Sequence, residues 1–195
     1  MIIYLHGFRS SPQSFKARMI GERMRALGLA DQYRCPQLSE RPRTAMAAAL
    51  AMTDGIAARQ LTLIGSSLGG FYATWLAEKL GCRAVMLNPA MRAHEKLARH
   101  VGTQTAYHDA GTSFEFRAEY LDELRDMHVD AITLPDRYFV LAATGDELLD
   151  WREMTTAFPG ARHKIIQGSD HGMADFADYM DEVLAFAGVL PAAVA

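Results

Sequence analysis

Residues 65–69 read Gly-Ser-Ser-Leu-Gly and set Ser67 at the centre of a G-x-S-x-G pattern. With the 15 glycines and the serines this chain holds, chance gives about 0.05 such matches. The run before it, Leu61 to Ile64, reads as a strand, and the run after it, Phe71 to Lys79, as a helix. A serine on so sharp a strand-to-helix turn has its hydroxyl pushed outward, at a helix N-terminus that favours developing negative charge. Gly65 and Gly69 supply the lack of bulk that such a turn needs, and Gly70 adds room. The alternative is a glycine-rich turn without chemistry.

A hydroxyl is a weak nucleophile and needs a base. Of seven histidines, His171 is the best placed, in the polar loop Gly168-Ser169-Asp170-His171-Gly172 between the last strand and the last helix. His94, His100, His108 and His128 fall in a mixed polar stretch where solvated histidine is the ordinary reading, and His163 begins a strand. An acid should orient the imidazole, and in the order serine, acid, histidine Asp146 fits, at the end of the strand Tyr138 to Ala142. Glu147 and Asp150 compete with it, and Asp170, adjacent to His171, points elsewhere. The oxyanion formed on attack needs two N–H donors. Leu68, after the nucleophile, offers one; Phe8, in the loop Leu5-His6-Gly7-Phe8 after the first strand, offers the other.

The elements that must carry these residues alternate. Strands are expected at Ile2 to Leu5, Gln32 to Cys35, Leu61 to Ile64, Ala84 to Leu87, Tyr138 to Ala142 and His163 to Ile166. Helices are expected at Ser14 to Leu27, with Phe15, Met19, Met24 and Leu27 on one side, at Thr44 to Arg59, at Leu68 to Leu80 and at Met173 to Phe186. The alternation predicts one α/β domain over 1–195 with about six mainly parallel strands and helices on both faces. The first and third strands should be neighbours, so that the loop after one meets the turn after the other. Between Pro89 and Pro135 no good strand is visible, and the stretch is longer than a crossover needs. It reads as a helical cap insertion over 90–135, or as a crossover helix with a decorated loop. The small apolar tail from Gly188 should fray.

Composition excludes several classes. The 195 residues carry a formal charge of −3 with no basic stripe, which argues against nucleic acid. The two cysteines, Cys35 and Cys82, read as buried thiols in a reducing compartment, with a single disulfide as the alternative. No secretory signal and no apolar run long enough for a membrane span are visible, which leaves a cytoplasmic protein as the expectation. No metal-ligand spacing, dinucleotide fingerprint or phosphate-loop lysine is present, so neither a metal nor a cofactor is expected.

Taken together, Tyr4-Leu5-His6-Gly7-Phe8, Ser10-Ser11-Pro12, Gly65 to Thr74, Asn88-Pro89-Ala90, Thr144-Gly145-Asp146-Glu147 and Asp170-His171 resemble the YqiA-like family of small bacterial esterases over nearly the whole chain. The resemblance implies an α/β-hydrolase fold, with Ser67, Asp146 and His171 as a triad acting on small-molecule acyl esters. It leaves acyl length, leaving group, substrate-binding residues and oligomeric state open. A thioesterase or acyltransferase with the same triad, or a non-catalytic binding protein on the same fold, are the other readings.

Overall fold

A computed structural model of the chain describes residues 1–107 and 111–191; His108 and the end of the tail lie outside them. The elements run β1 (Ile2–Leu5), α1 (Phe15–Ala26), β2 (Tyr33–Arg34), α2 (Pro42–Ala51), β3 (Thr62–Ser66), α3 (Leu68–Leu80), β4 (Arg83–Leu87), α4 (Ala93–Leu97), β5 (Gly102–Thr105), β6 (Ser113–Phe116), α5 (Glu119–Asp126), β7 (Tyr138–Ala143), α6 (Trp151–Thr156), β8 (Arg162–Ile166) and α7 (Met180–Phe186). Six strands form one sheet in the order β2-β1-β3-β4-β7-β8, and every pairing in it is parallel. This is the α/β-hydrolase fold in a short form.

The four central strands are buried along their length apart from Arg83 at the start of β4, which is why they read as largely apolar runs. Alternate side chains still separate by face. Ile3, Leu5, Leu63, Met86 and Val140 pack with α2, α3 and residues of α5 on one side. Ile2, Tyr4, Ile64, Val85 and Phe139 pack with α1 and α7 on the other. β1 pairs with β3 from Ile2↔Thr62 to Leu5↔Gly65, so the loop after β1 and the turn after β3 leave the sheet side by side.

Five details differ from the sequence reading. Residues 90–135 are not wholly helical: β5 and β6 form an antiparallel two-stranded ribbon between α4 and α5. Its strands are four residues long and half exposed, so only the Phe114–Phe116 alternation signals them. The expected helix from Thr44 starts earlier and stops at Ala51; the Thr53 hydroxyl bonds back to the Leu50 carbonyl, and Gly55 follows in the left-handed region at φ 76°. α7 begins only at Met180, because Met173 (φ 50°) and the turn through Asp178 belong to the histidine loop. The inward face of α1 is Lys16, Ala17, Ile20 and Met24, while Phe15 is exposed. α6 carried too little periodicity over six residues to be read.

Residues 90–135 are fastened to the body by charge as well as packing. Glu123 on α5, 5% exposed, accepts from Arg41 Nε at 2.8 Å and from the Arg43 N–H at 2.9 Å, tying α5 to the start of α2. At the ribbon, Arg9 Nε donates to the Thr105 carbonyl at 2.6 Å, and the Tyr107 N–H donates to the Arg9 carbonyl at 2.8 Å. Phe116 and Tyr120 are buried in the core, so they pack this segment down rather than line the cavity beside Ser67. Losing the acceptor of the Arg43 N–H costs about 1 kcal/mol, while the Arg41 side chain, half exposed, can turn to water. Glu123→Ala is therefore expected to lower the unfolding free energy measured in urea by about that much, and Glu123→Gln, which keeps one acceptor, by less.

Candidate active site

The strand-to-helix turn is as tight as the glycines suggested. A Cβ on Gly69 would lie 1.9 Å from the Leu5 carbonyl oxygen, and one on Gly65 would lie 2.1 Å from the Gly69 carbonyl oxygen. No side chain fits either place. Ser67 between them is held at φ 54°, ψ −119°, a conformation that costs an L-residue about 1–3 kcal/mol. The turn is over-determined by hydrogen bonds: the Ser67 N–H donates to the Leu87 carbonyl, and the Ser67 carbonyl accepts from Gly70 and Ala90.

Leu68 is the first residue of α3, so its N–H has no intrahelical acceptor. Across from it the loop after β1 is held by His6, which is 4% exposed. The Leu38 N–H donates to His6 Nε2 at 3.0 Å, which leaves Nδ1 to carry the proton, and Nδ1 lies 3.0 Å from the Gly7 carbonyl oxygen. The Ser10 N–H donates to the same oxygen. In a trans peptide the N–H points opposite to the C=O. With the Gly7 carbonyl fixed, the Phe8 N–H faces the other way. Gly7 itself sits against the serine, where a Cβ would come 3.3 Å from Ser67 Cβ. The Phe8 ring is fixed by edge contacts to Phe114 and Phe116.

His171 Nδ1 lies 2.7 Å from Asp146 Oδ2. The Asp146 side chain is fully buried, and its other oxygen accepts the Leu148 and Leu149 N–H groups, each at 2.8 Å. Three donors on one carboxylate fix its plane. The nearby carboxylates have other work. Glu147 accepts the His171 backbone N–H at 3.0 Å, Asp150 caps α6 through the Arg152 N–H, and Asp170 accepts the Ala174 N–H. Asp146 alone meets the imidazole.

Two residues that the sequence reading did not single out as functional hold the histidine loop. Asn88, fully buried at the end of β4 with φ 44°, donates from Nδ2 to the carbonyls of Asp170 and His171 and accepts the Ala143 N–H at 2.8 Å. It links the ends of β4 and β7 to the loop. Lys16 Nζ donates to the next carbonyl, Gly172, at 2.5 Å. Asn88 was visible in the Asn88-Pro89-Ala90 motif, but its role depends on contacts 82 and 83 residues away in the chain. Lys16 sat in an amphipathic helix where a charged residue reads as solvent-facing.

Ser67, Leu68, Phe8 and His171 line one cavity of about 340 Å³, closed on the far side by Leu97, His100 and Tyr107 of residues 90–135 and by Leu148 and Leu149. Burial, with Arg99 and Arg9 close by, holds the His100 imidazole below its ordinary pKa. Cys35 and Cys82 are both free thiols, and burial raises both, Cys35 to about 12 and Cys82 to about 11. Neither is a thiolate at neutral pH. Among the described residues no group of His, Cys, Asp or Glu is placed to hold a metal ion, and no helix is long and apolar enough to cross a membrane.

The model of an uncharacterised protein family, UPF0227, matches residues 1–188. Solved structures with a similar fold include alpha/beta hydrolase domain-containing protein 10 from mouse, at 17% identity and a TM-score of 0.68 over 94% of this chain and 88% of that one. The ferulic-acid-bound Est1E from Butyrivibrio proteoclasticus matches at 13% identity and a TM-score of 0.66, over 94% and 85%. The esterase domain of a Rhodothermus marinus protein matches at 19% identity and a TM-score of 0.62, over 95% and 85%. At these identities the likeness is one of fold.

Asn88→Ala takes a partner from the Ala143 N–H and from the Asp170 and His171 carbonyls, of which the Asp170 carbonyl keeps the Met173 N–H. Each buried group left unmatched costs about 1–3 kcal/mol. The variant should lose stability on that scale and show faster amide exchange at residues 170–173, while exchange in α3 stays slow; unchanged exchange in the loop would remove the bracing role.

Proposed function

We propose that this chain, which belongs to the UPF0227 family, is a serine esterase that cleaves acyl esters through Ser67, His171 and Asp146. The observation that carries the reading is the 2.7 Å contact between His171 Nδ1 and a buried, three-donor Asp146 carboxylate, on the same cavity as a serine in a strained left-handed turn. That contact fixes the imidazole tautomer with Nδ1 protonated and leaves Nε2 as the free base.

In the proposed cycle Ser67 Oγ attacks the acyl carbon while His171 Nε2 takes its proton. The negative charge that develops on the carbonyl oxygen is met by the Leu68 and Phe8 N–H groups, which need no reorganisation because α3 and His6 already aim them. His171 then protonates the leaving alcohol, and the acyl group stays on Ser67. A water, deprotonated by the same imidazole, releases the acid and restores the serine. Asp146 stays ionised throughout and stabilises the imidazolium. Residues 90–135 act as a cap that narrows the cavity and keeps bulk water off the ester. The esterases among the structural neighbours support this class of reaction, though acyl length is set by each protein's own cavity.

Esters and thioesters would use the same residues, so a panel of both tests the reading. Nitrophenyl esters of increasing chain length and the matching acyl thioesters should be turned over by the native protein, with esters favoured. Ser67→Ala should lose about 10⁴-fold or more in kcat and Asp146→Asn about 10³–10⁴-fold. Undiminished turnover in Ser67→Ala would remove the assignment. A panel in which only thioesters react would move it to a thioesterase.

A further inference from the structure

A buried ammonium stands beside this site with no carboxylate in contact. Lys16 is 7% exposed, and among the described residues it donates to the Gly172 carbonyl and forms no ion pair. Asp170 and Asp146 pull on its proton from beyond contact distance; Asp146 is held by the His171 ring, and Asp170 accepts the neutral Ala174 N–H. A lysine this deep is ordinarily paired. Burial lowers it to about 8, so it is still mostly charged at neutral pH. It lines the cavity together with Ser67 and His171.

The rest of the lining agrees. The chain carries more acidic than basic residues, yet among the described residues no Asp or Glu lines this cavity. Lys96 and Arg99 do. Lys96 is matched by Glu153 at 3.1 Å, which leaves Arg99 at the mouth with no carboxylate partner among the described residues. A low-dielectric cavity lined by one sign of charge concentrates the opposite sign.

We infer that the cavity takes an ester whose leaving alcohol carries a carboxylate, seated on Lys16 and drawn in past Arg99. The inference rests on the esterase reading above and narrows its substrate class. The side follows from connectivity: Lys16 binds the residue directly after His171, and the leaving oxygen must come to that imidazole. A carboxylate fits better than a phosphate dianion, because a single buried cation offsets the desolvation of one charge but not of two.

A matched pair of substrates tests it. 3-Carboxyphenyl butyrate and 3-carbamoylphenyl butyrate have the same shape, and the amide is the better leaving group, so reactivity alone favours the neutral ester. The native protein should prefer the acid in kcat/KM by about tenfold or more, as for a hydrogen bond to a charged group. Lys16→Met should bring the ratio close to one, and Arg99→Ala should lower it by about threefold, most strongly at low salt. The ratio is the readout because Lys16→Met also frees the Gly172 carbonyl and lowers both rates. A native ratio of one or less, or a ratio unchanged in Lys16→Met, overturns the inference. Calorimetry of 3-hydroxybenzoate against 3-hydroxybenzamide on the Ser67→Ala variant separates the two claims and decides even if Lys16→Met does not fold. Tighter binding of the acid without turnover of any ester would keep the cationic subsite and remove the esterase; turnover with equal binding would do the reverse.

Discussion

The close crossing of β1, β3 and α3 governs everything built on it. The Leu5 carbonyl oxygen and the Gly69 backbone occupy space that any side chain at 69 or 65 would need. Because strand and helix touch there, the one residue between them that must project is Ser67, at a backbone angle that would relax if either neighbour gave way. The parallel pairing of β1 with β3 brings the loop after β1 to the same place, so the Phe8 and Leu68 N–H groups come from backbone that the fold itself has fixed. Strain at one residue is offset by hydrogen bonds from Leu87, Gly70 and Ala90 and by packing on both faces of the sheet.

The second half of the site is assembled differently. The serine turn is rigid by steric exclusion, whereas the histidine loop is held by polar groups brought from elsewhere. Three successive carbonyls, of Asp170, His171 and Gly172, are taken by Asn88 and Lys16, and the His171 N–H by Glu147. The contacts of Asn88 and Lys16 are half-buried, and their loss removes partners from groups shielded from water, while the Glu147 contact is exposed. The lysine that braces the loop lines the same cavity as the imidazole and so carries positive charge into it.

What the sequence made legible follows from how local each signal is. The strand at Ile2–Leu5 and the helix at Leu68–Leu80 are read to the residue, because a buried parallel strand and a glycine-bounded helix write their limits into consecutive positions. Ser67 stood out for the same reason. The ribbon strands Gly102–Thr105 and Ser113–Phe116 did not, since their pairing is stabilised by contacts with Arg9 and the aromatic cluster at Phe8 rather than by their own alternation. Nor did the residues after Met173, where helical spacing in the sequence is overridden by a left-handed Met173 that turns the chain around the histidine. Asn88, His6 and Lys16 show the limit most clearly. Each is an ordinary residue in sequence, and its role exists only through partners brought from other elements.

The central claim is that Ser67 forms a covalent acyl intermediate. Rapid acid quenching of the native protein with a slowly deacylated nitrophenyl ester, followed by intact and peptide mass spectrometry, measures it directly. The account predicts one added acyl mass per chain, carried by the peptide that holds Ser67 and absent from Ser67→Ala. Steady ester turnover with no adduct at any quench time, or an adduct on a different residue, would contradict it.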